Sequence, residues 1–403
     1  MISETERALE TILDLGEQML ICGGEVNRVE TTLQRLCAAY GAQTTDVLVI
    51  TECIILTVRS PAWGSLTQTR RVRTQKYNLS RLSRLNQLSR QVCAEPVPPE
   101  EFRGRLAEIC GENAGSLPLS LAVWALTAGA FCAFFGGNVR DMLCSAAIGA
   151  ILRAVHSLLT EKISLNGYFS VIICSFLGGL LAGLPARCGL PVNAAVVSIG
   201  DIMLLVPGVA LTNSLRDLFS GDTISGLLKF SESVILSLVI AGGFALSTTG
   251  SELPDTVAPA VWVIAAFFSA AGLGLWFRVD MRTVLPSSAV AAAAWGVVMA
   301  VQAAGCAEFW AYLAAAAFVG LMAEIFSRLF RTPATVFLVM GIIPMVPGGM
   351  LYRTMRCGIA GQWDDFLSVG VRTLMTALAI SAGMFCVRAV FEAVTALKQK
   401  EKG

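Results

Sequence analysis

A Val-Pro-Gly triplet occurs twice, at Val206-Pro207-Gly208 and Val346-Pro347-Gly348, 140 residues apart and each time closing an apolar run. Sliding the sequence over itself by that offset also superposes Ala194 on Ala334, Val196 on Val336 and Ile202 on Ile342. Past the triplet it pairs Leu211 with Leu351, Arg216 with Arg356, Gly221 with Gly361, Leu238 with Leu378, Ile240 with Ile380 and Gly243 with Gly383. Alanine, leucine and valine matches are cheap in such a chain; the Pro-Gly and Arg matches are not. A helix-breaking dipeptide at matching depth in two related stretches is the sequence mark of a membrane transporter assembled from two halves.

Composition sets the medium. Of 403 residues, 55% are hydrophobic and 15% charged, and the mean hydropathy is +0.67. That is too apolar for a water-soluble globule. The basic residues concentrate before residue 106, including Arg70, Arg71, Arg73, Lys76, Arg81, Arg84 and Arg90. The first 18 residues carry five acidic residues and no basic segment, unlike a secretory signal peptide. Twelve cysteines lack paired spacing and there is a single histidine, so a Cys/His metal site is hard to build. The cysteines read as small apolar residues in a reducing compartment or in lipid.

Residues 1–115 read as an α+β domain. Leu9, Ile12, Leu13, Met19 and Leu20, then Val26, Val29, Leu33 and Leu36, recur at helical spacing around a Gly23-Gly24 break. Thr44 to Arg59 is dense in β-branched residues and predicts one or two strands, with another at Thr67 to Val72. Leu79, Leu82, Leu85 and Leu88 return to helical spacing, and a last helix runs from Glu100 to Glu112 after Pro96, Pro98 and Pro99.

From Leu117 onward come apolar stretches of about the ~20 residues a bilayer requires. They lie near 117–137, 142–160, 166–186, 192–213, 226–250, 257–277, 284–304, 309–327, 333–352 and 366–394. Ten spans divide into halves at 116–250 and 256–397, and their glycines and alanines suit close packing in lipid. Basic loops fix the orientation. With the basic first domain cytoplasmic, Lys162, Arg216, Arg278, Arg282, Arg328, Arg331 and the tail lysines Lys398, Lys400 and Lys402 are cytoplasmic too. The outer loops hold Arg140, Arg187, Arg353 and Arg356, and Ser251–Asp255 carries acids alone. Both termini are therefore expected inside the cytoplasmic membrane. Five spans per half is odd, so the halves must lie inverted, each supplying a gate on its own face.

At Gly23-Gly24-Glu25-Val26-Asn27-Arg28-Val29-Glu30-Thr31-Thr32 and Ala39-Tyr40-Gly41 the chain resembles the first-domain signature of the threonine/serine exporter family. Arg71-Val72-Arg73, Tyr77-Asn78-Leu79 and Leu85-Asn86-Gln87-Leu88-Ser89-Arg90 are similar to it as well. Leu205 to Asp217, with Ser220-Gly221-Asp222 and Ser225-Gly226, looks like the same family's central membrane motif. The resemblance implies ten helices, a cytoplasmic first domain and export of small polar metabolites. Fused members are typified by threonine and serine export, and split members are linked to dicarboxylates such as succinate.

Several residues are candidates for the chemistry. Asp201 lies about two turns before Pro207 in an otherwise uncharged helix. An unpaired carboxylate in hydrocarbon costs a few kcal/mol or more, so such a group faces a cavity, carries a proton, or pairs with a neighbour such as Arg153 or His156. Asn213 and Asp217 are one turn apart just past the Pro207-Gly208 break. The break frees backbone groups to meet a polar solute, and an amino-acid zwitterion needs acceptors for its ammonium group and donors such as Arg216 for its carboxylate. The second stretch keeps Pro347, Gly348 and Arg356 but sets Arg353 and Cys357 opposite Asn213 and Asp217.

Glu232, Glu324 and His156 are further proton-coupling candidates, with snorkelling to water the simpler account of Glu324 and solvation that of His156. Arg372 and Arg388 are candidate partners of acids. Glu25, Arg28 and Glu30 read as a surface ion pair or as a docking surface. No catalytic triad, phosphate-cradling loop, nucleotide-binding motif or zinc spacing is present, so no enzyme activity, cofactor, metal or nucleic-acid partner is expected.

The reading is an α-helical polytopic membrane protein that exports threonine and serine by proton antiport. Its partners are a small-molecule substrate and the lipid bilayer, with homo-oligomerisation left open. A dicarboxylate exporter would share the architecture and rely on Arg216, Arg356 and Arg372. An intramembrane hydrolase, prompted by Gly200-Asp201, would need a second aspartate deep in a span, and none is there.

Overall fold

The structure is a computed structural model that describes residues 4–60, 64–72, 77–111, 116–244 and 258–400. Arg73, Lys76, the Ser251–Asp255 loop and Lys402 lie outside the described residues, as do the side chains of Lys398 and Lys400. The chain separates into two compact units: Met1–Ala114 with Gly221–Leu228 and Phe277–Asp280, and the remainder.

In the first unit, α1 (Glu4–Ile21) and α2 (Val26–Ala39) are separated at Gly23-Gly24. Gly23 has φ +92°, and a Cβ on Gly24 would fall 2.8 Å from the Met19 carbonyl oxygen, so the tight reversal requires glycine. Three strands follow, β1 (Thr44–Ile50), β2 (Cys53–Ser60) and β3 (Gly64–Arg71), as an antiparallel meander. Alternation along β2 buries Ile54, Leu56 and Val58 with Leu13, Leu33 and Leu36 of the helices. Then α3 (Leu79–Ala94), capped by the Asn78 side chain accepting from Arg81 N at 3.0 Å, and α4 (Pro99–Cys110) complete the unit. Burial pushes the Cys22 thiol up to about 11 and the Cys37 thiol up to about 12, so both stay protonated and pack as small apolar groups.

The second unit is helical. Among the described residues eight helices are long and apolar enough to cross a membrane, or nine if one bent pair counts as a span. They are α5 (Leu117–Phe134), α6 (Val139–Ser157, prolonged by a π-helical turn to Lys162), α7 (Gly167–Arg187), α10 (Thr223–Phe244), α11 (Pro259–Trp276), α12 (Met281–Ala303), α13 (Glu308–Phe330) and α16 (Trp363–Lys400). The stretches at 192–213 and 333–352, each expected to carry a helix-breaking Pro-Gly dipeptide, are indeed interrupted there. The first divides into α8 (Ala194–Ile202) and α9 (Gly208–Phe219), the second into α14 (Ala334–Ile342) and α15 (Gly348–Ile359). The proline explains it: with no N–H and a clash against the preceding turn, it cannot continue a ladder.

The two breaks are alike in detail. Pro207 has φ −78° and ψ 46°, and Pro347 has φ −77° and ψ 41°. Gly208 N donates to Val206 O at 2.9 Å and Gly348 N to Val346 O at 2.8 Å, an inverse γ-turn in each. They also touch each other. A Cβ on Gly208 would collide with Val346 Cγ1, and one on Gly348 would lie 3.2 Å from Val206 Cγ1. A contact in which i meets j and the counterpart of i meets the counterpart of j is the pattern of two-fold packing.

The same reciprocity recurs elsewhere. Arg153, on α6, lies over Trp276, the last residue of α11, at 4.9 Å. Trp295, as far from the start of α12 as Arg153 is from the start of α6, meets Phe134, the last residue of α5, with ring centroids 4.7 Å apart. The glycine match at 243 and 383 is a packing requirement too. A Cβ on Gly243 would fall 2.7 Å from Phe176 N on α7, and one on Gly383 2.5 Å from Leu313 O on α13. Interhelical approach this close is available only to the smallest residue.

The neighbouring glycine supplies a control, since a Cβ on Gly242 would meet nothing within 4 Å. Gly243→Ala should lower the thermal midpoint of the purified protein by several degrees, by overpacking worth ~1–3 kcal/mol. Gly242→Ala should leave the midpoint unchanged or raise it. Equal midpoints would count against this close packing of α7 on α10.

Candidate functional site

Residues 208 and 211–217 of α9 are all buried, and they include Thr212, Asn213, Ser214, Arg216 and Asp217. A helix this polar is costly to bury unless its groups find partners. Thr212 Oγ1 donates to Gly208 O at 3.2 Å and Ser214 Oγ to Leu211 O at 2.6 Å. Asp217 Oδ2 accepts from Lys229 Nζ of α10 at 2.8 Å, and Asp217 Oδ1 lies 3.9 Å from Arg216 Nη2. Asn213 Oδ1 is buried without a hydrogen-bond partner. One turn apart on the helix, Asn213 and Asp217 therefore set an unfilled acceptor beside an ion pair.

Asp201 sits apart from this cluster. It is fully buried on α8, its Oδ1 accepts from Ser145 Oγ of α6 at 2.9 Å, and its Oδ2 has no partner. The pairing with Arg153 considered from the sequence is not formed. Arg153 is drawn to Ser120 Oγ at 3.1 Å, Glu161 Oε1 at 3.0 Å and the Trp276 ring. His156 packs its ring against Trp124 with centroids 5.8 Å apart.

The remaining candidates scatter. Glu232 accepts from Tyr168 Oη at 2.6 Å, near the start of α7. Its counterpart Arg372 pairs with Glu308 at the start of α13. Both ties join residues 64 apart in the chain, the same link made with different chemistry. Glu324 lies 3.9 Å from Arg328 one turn on, both toward the end of α13. Arg356 is half-buried in the last turn of α15, and Arg388 is half-buried on α16. In the first unit Glu25 precedes α2, buried, 3.7 Å from Arg28. Glu30 Oε1 accepts from Val49 N of β1 at 3.0 Å. The Glu30 bond ties α2 to β1, whereas the Glu25–Arg28 contact is local to the start of α2. Among the described residues no group of three His, Cys, Asp or Glu side chains could hold a metal.

Two site residues escaped sequence reasoning. Lys229 carried a signal, a cation in an apolar span, by the same rule that singled out Asp201. Ser145 carried none, because serines are common in packed membrane helices and only the fold brings it to Asp201.

The second stretch shows what the scaffold does without these groups. Counted from the helix starts, Gly341 occupies the position of Asp201, and Ser287 that of Ser145. Ser287 Oγ is buried with no partner. Ser145→Ala would leave both Asp201 oxygens unbonded and should destabilise the protein by ~1–3 kcal/mol. Ser287→Ala removes an already unbonded hydroxyl and should be neutral or stabilising. Thermal midpoints of the two variants in one detergent check this; a larger loss for Ser287→Ala would contradict it.

A family model described as a putative threonine/serine exporter matches residues 10–250, and a second, described as a threonine/serine exporter, matches residues 262–390. The threonine/serine exporter of Corynebacterium glutamicum is 24% identical over 402 residues, covering 92% of this chain and 79% of that protein. A probable threonine/serine exporter of Mycobacterium tuberculosis is 26% identical, over 94% of this chain and 75% of its own length. A probable succinate transporter subunit YjjP of Klebsiella aerogenes is 22% identical over 61% of this chain and 95% of that protein. No solved structure matches. The matched ranges contain both stretches, Gly23–Thr32 and Leu205–Gly226, on which the sequence resemblance rests.

Proposed function

Because the chain belongs to the threonine/serine exporter family, a family of multi-pass membrane transporters and not of enzymes, we propose that it exports threonine and serine across the cytoplasmic membrane by proton antiport with alternating access. The observation that carries this reading is the buried polar face of α9. Asn213 Oδ1 has no partner, and Asp217 and Lys229 offer one charge of each sign a turn away. A small zwitterion supplies the complementary charges and hydrogen-bond donors, and a purely apolar or purely anionic solute does not.

The path lies along α9, with the two Val-Pro-Gly breaks as the points about which the halves move. Counting Ala194–Phe219 as a broken span, by its match to Ala334–Ile359, gives five spans per half and ten in all. The reciprocal contacts at Val206–Gly348 with Val346–Gly208, and at Arg153–Trp276 with Trp295–Phe134, support an inverted pairing. Residues 1–115 form the cytoplasmic domain. Gly221–Leu228 and Phe277–Asp280 pack with those residues, which supports the basic loops and both termini on that side. Asp201 is the proton carrier: a fully buried carboxyl group with one bonded and one unbonded oxygen accepts a proton without needing a counter-ion. Glu232, Glu324 and His156 are engaged or peripheral and rank behind it. No cofactor takes part.

Efflux from proteoliposomes, measured against a panel of amino acids and dicarboxylates with and without a pH step, tests the reading. Threonine and serine should leave fastest and respond to the pH step, and Asp201→Asn should insert and fold while losing that response. Threonine efflux indifferent to the step would remove the antiport. Succinate efflux exceeding threonine efflux would instead favour the dicarboxylate reading, which draws on the similarity to the Klebsiella aerogenes protein. The inverted arrangement is tested separately by thiol labelling of Gly221→Cys and Gly361→Cys in intact cells. The two should react from opposite sides, and reaction from one side would sink it.

A further inference from the structure

We propose that the Lys229–Asp217 ion pair is the specificity element of the transport site, a built-in stand-in that an α-amino acid zwitterion displaces. The substrate carboxylate takes the place of Asp217 on Lys229 Nζ, and the substrate ammonium group takes the place of Lys229 on Asp217. Asn213 Oδ1 accepts a further ammonium hydrogen. The inference rests on the reading of α9 as the substrate-facing helix and names the two groups that choose the substrate.

Three observations carry it. Asp217 is buried and Lys229 largely so, with side chains 6% and 17% exposed, so opening the pair strips Lys229 of its carboxylate and leaves Asp217 only Arg216, 3.9 Å away. An ion pair opened in such a place must be replaced by partners of both signs. A zwitterion brings both, and the exchange leaves the local charge unchanged.

Next, the pair is not needed to hold α9 to α10. At the matching positions of α15 and α16 stand Cys357 and Val369. That hairpin closes with a hydrogen bond of 3.3 Å between Thr354 and Thr373 instead. The molecule thus contains a matching helix pair with no ion pair at these two positions, so the Asp217–Lys229 pair is retained for something other than closing the turn.

Third, the acceptor left over is where an ammonium group would want it. Asn213 precedes Asp217 by four residues, which places the two side chains about 6 Å apart on one face. An ammonium group between them would find the Asp217 carboxylate on one side and the unbonded Asn213 Oδ1 on the other. The same arrangement disfavours a dicarboxylate. Its second carboxylate would meet Asp217, a like charge that Arg216, 3.9 Å from Asp217, offsets only in part, and like charges at short range are a common device for rejecting the wrong partner.

The experiment uses the full-length protein in proteoliposomes, with threonine counterflow as the readout and thermal midpoint and monodispersity as the folding control. Competitors for the wild type are serine, threonine methyl ester, 3-hydroxybutanoate and succinate. Serine should compete; the ester, which lacks the carboxylate, and the hydroxy acid, which lacks the ammonium group, should each be weaker by roughly tenfold or more. Asp217→Asn and Lys229→Gln should each lose threonine counterflow by a similar factor. The deciding variant reverses the pair, Asp217→Lys with Lys229→Asp. It restores an ion pair, and so restores whatever the pair does as a clamp, but presents each charge from the wrong helix.

Wild-type midpoint with lost counterflow in the reversed variant is the expected result. Recovered counterflow in that variant would reduce the pair to a clamp and overturn the inference. If none of the three variants folds, the competitor series decides alone: either single-charge analogue competing as well as threonine overturns it. A wild type that carries no threonine removes the proposed function and this inference with it. A wild type that carries threonine alongside an active reversed variant removes only the inference.

Discussion

Where Val206 meets Gly348 and Val346 meets Gly208, two broken helices come together because neither glycine carries a Cβ. Much else in the membrane half is arranged around that approach. The preceding prolines end α8 and α14, and each glycine begins a new helix, so every break leaves a short helix on either side instead of a loop. Backbone interrupted at membrane depth is tolerated only where protein or a cavity covers it. Here each break covers the other. Enlarging either glycine would therefore disturb both interruptions at once, which is why a dipeptide so poorly suited to a membrane helix stands in both halves.

The two halves also act as controls for each other. Elements of similar length follow one another from α5 to α9 and from α11 to α15, and the geometry of the breaks agrees to within a few degrees. Against that constant background the chemistry differs. Asp201 faces Ser145 where the other half has Gly341 and an unbonded Ser287. Tyr168–Glu232 becomes Glu308–Arg372, and the Arg153 guanidinium over Trp276 becomes Trp295 against Phe134. A feature present in both halves is best explained by packing. A feature confined to one half has to be explained otherwise, and the buried acids at 201 and 217 are of that second kind.

Legibility in the sequence followed the range of the forces involved. The Val-Pro-Gly offset, the Gly243 and Gly383 match and the apolar spans were readable because local geometry imposes them. Proline and glycine declare themselves wherever they fall, and an apolar run declares its solvent. The breaks within 192–213 and 333–352 were legible from the Pro-Gly dipeptides, but hydropathy did not show that each starts a further helix, running to Phe219 and to Ile359. Asn213 and Asp217 were legible as one helical face. Lys229, which completes that cluster from α10, and Ser145, which meets Asp201 from α6, depend on how helices pack. Glu25 and Glu30 stood out in the family-like motif, and what the fold does with them was not readable there: one lies beside Arg28 and the other accepts the Val49 amide.

The energetics of the Asp217–Lys229 pair sharpen the contrast between the halves. Withdrawing two charges from water costs several kcal/mol per ion, and their mutual attraction commonly does no better than break even. An uncharged replacement of similar size is often as stable or more so, provided that the fold can accept one. Cys357 and Val369 are such an uncharged pair, behind a first helix of the same length, α15 for α9, and the same turn glycine, Gly361 for Gly221, at positive φ in both. Stability alone gives the first half no reason to keep its charges. What the charges add is a place that is costly to leave unfilled and that only a solute carrying both signs fills without leaving one of them unpaired.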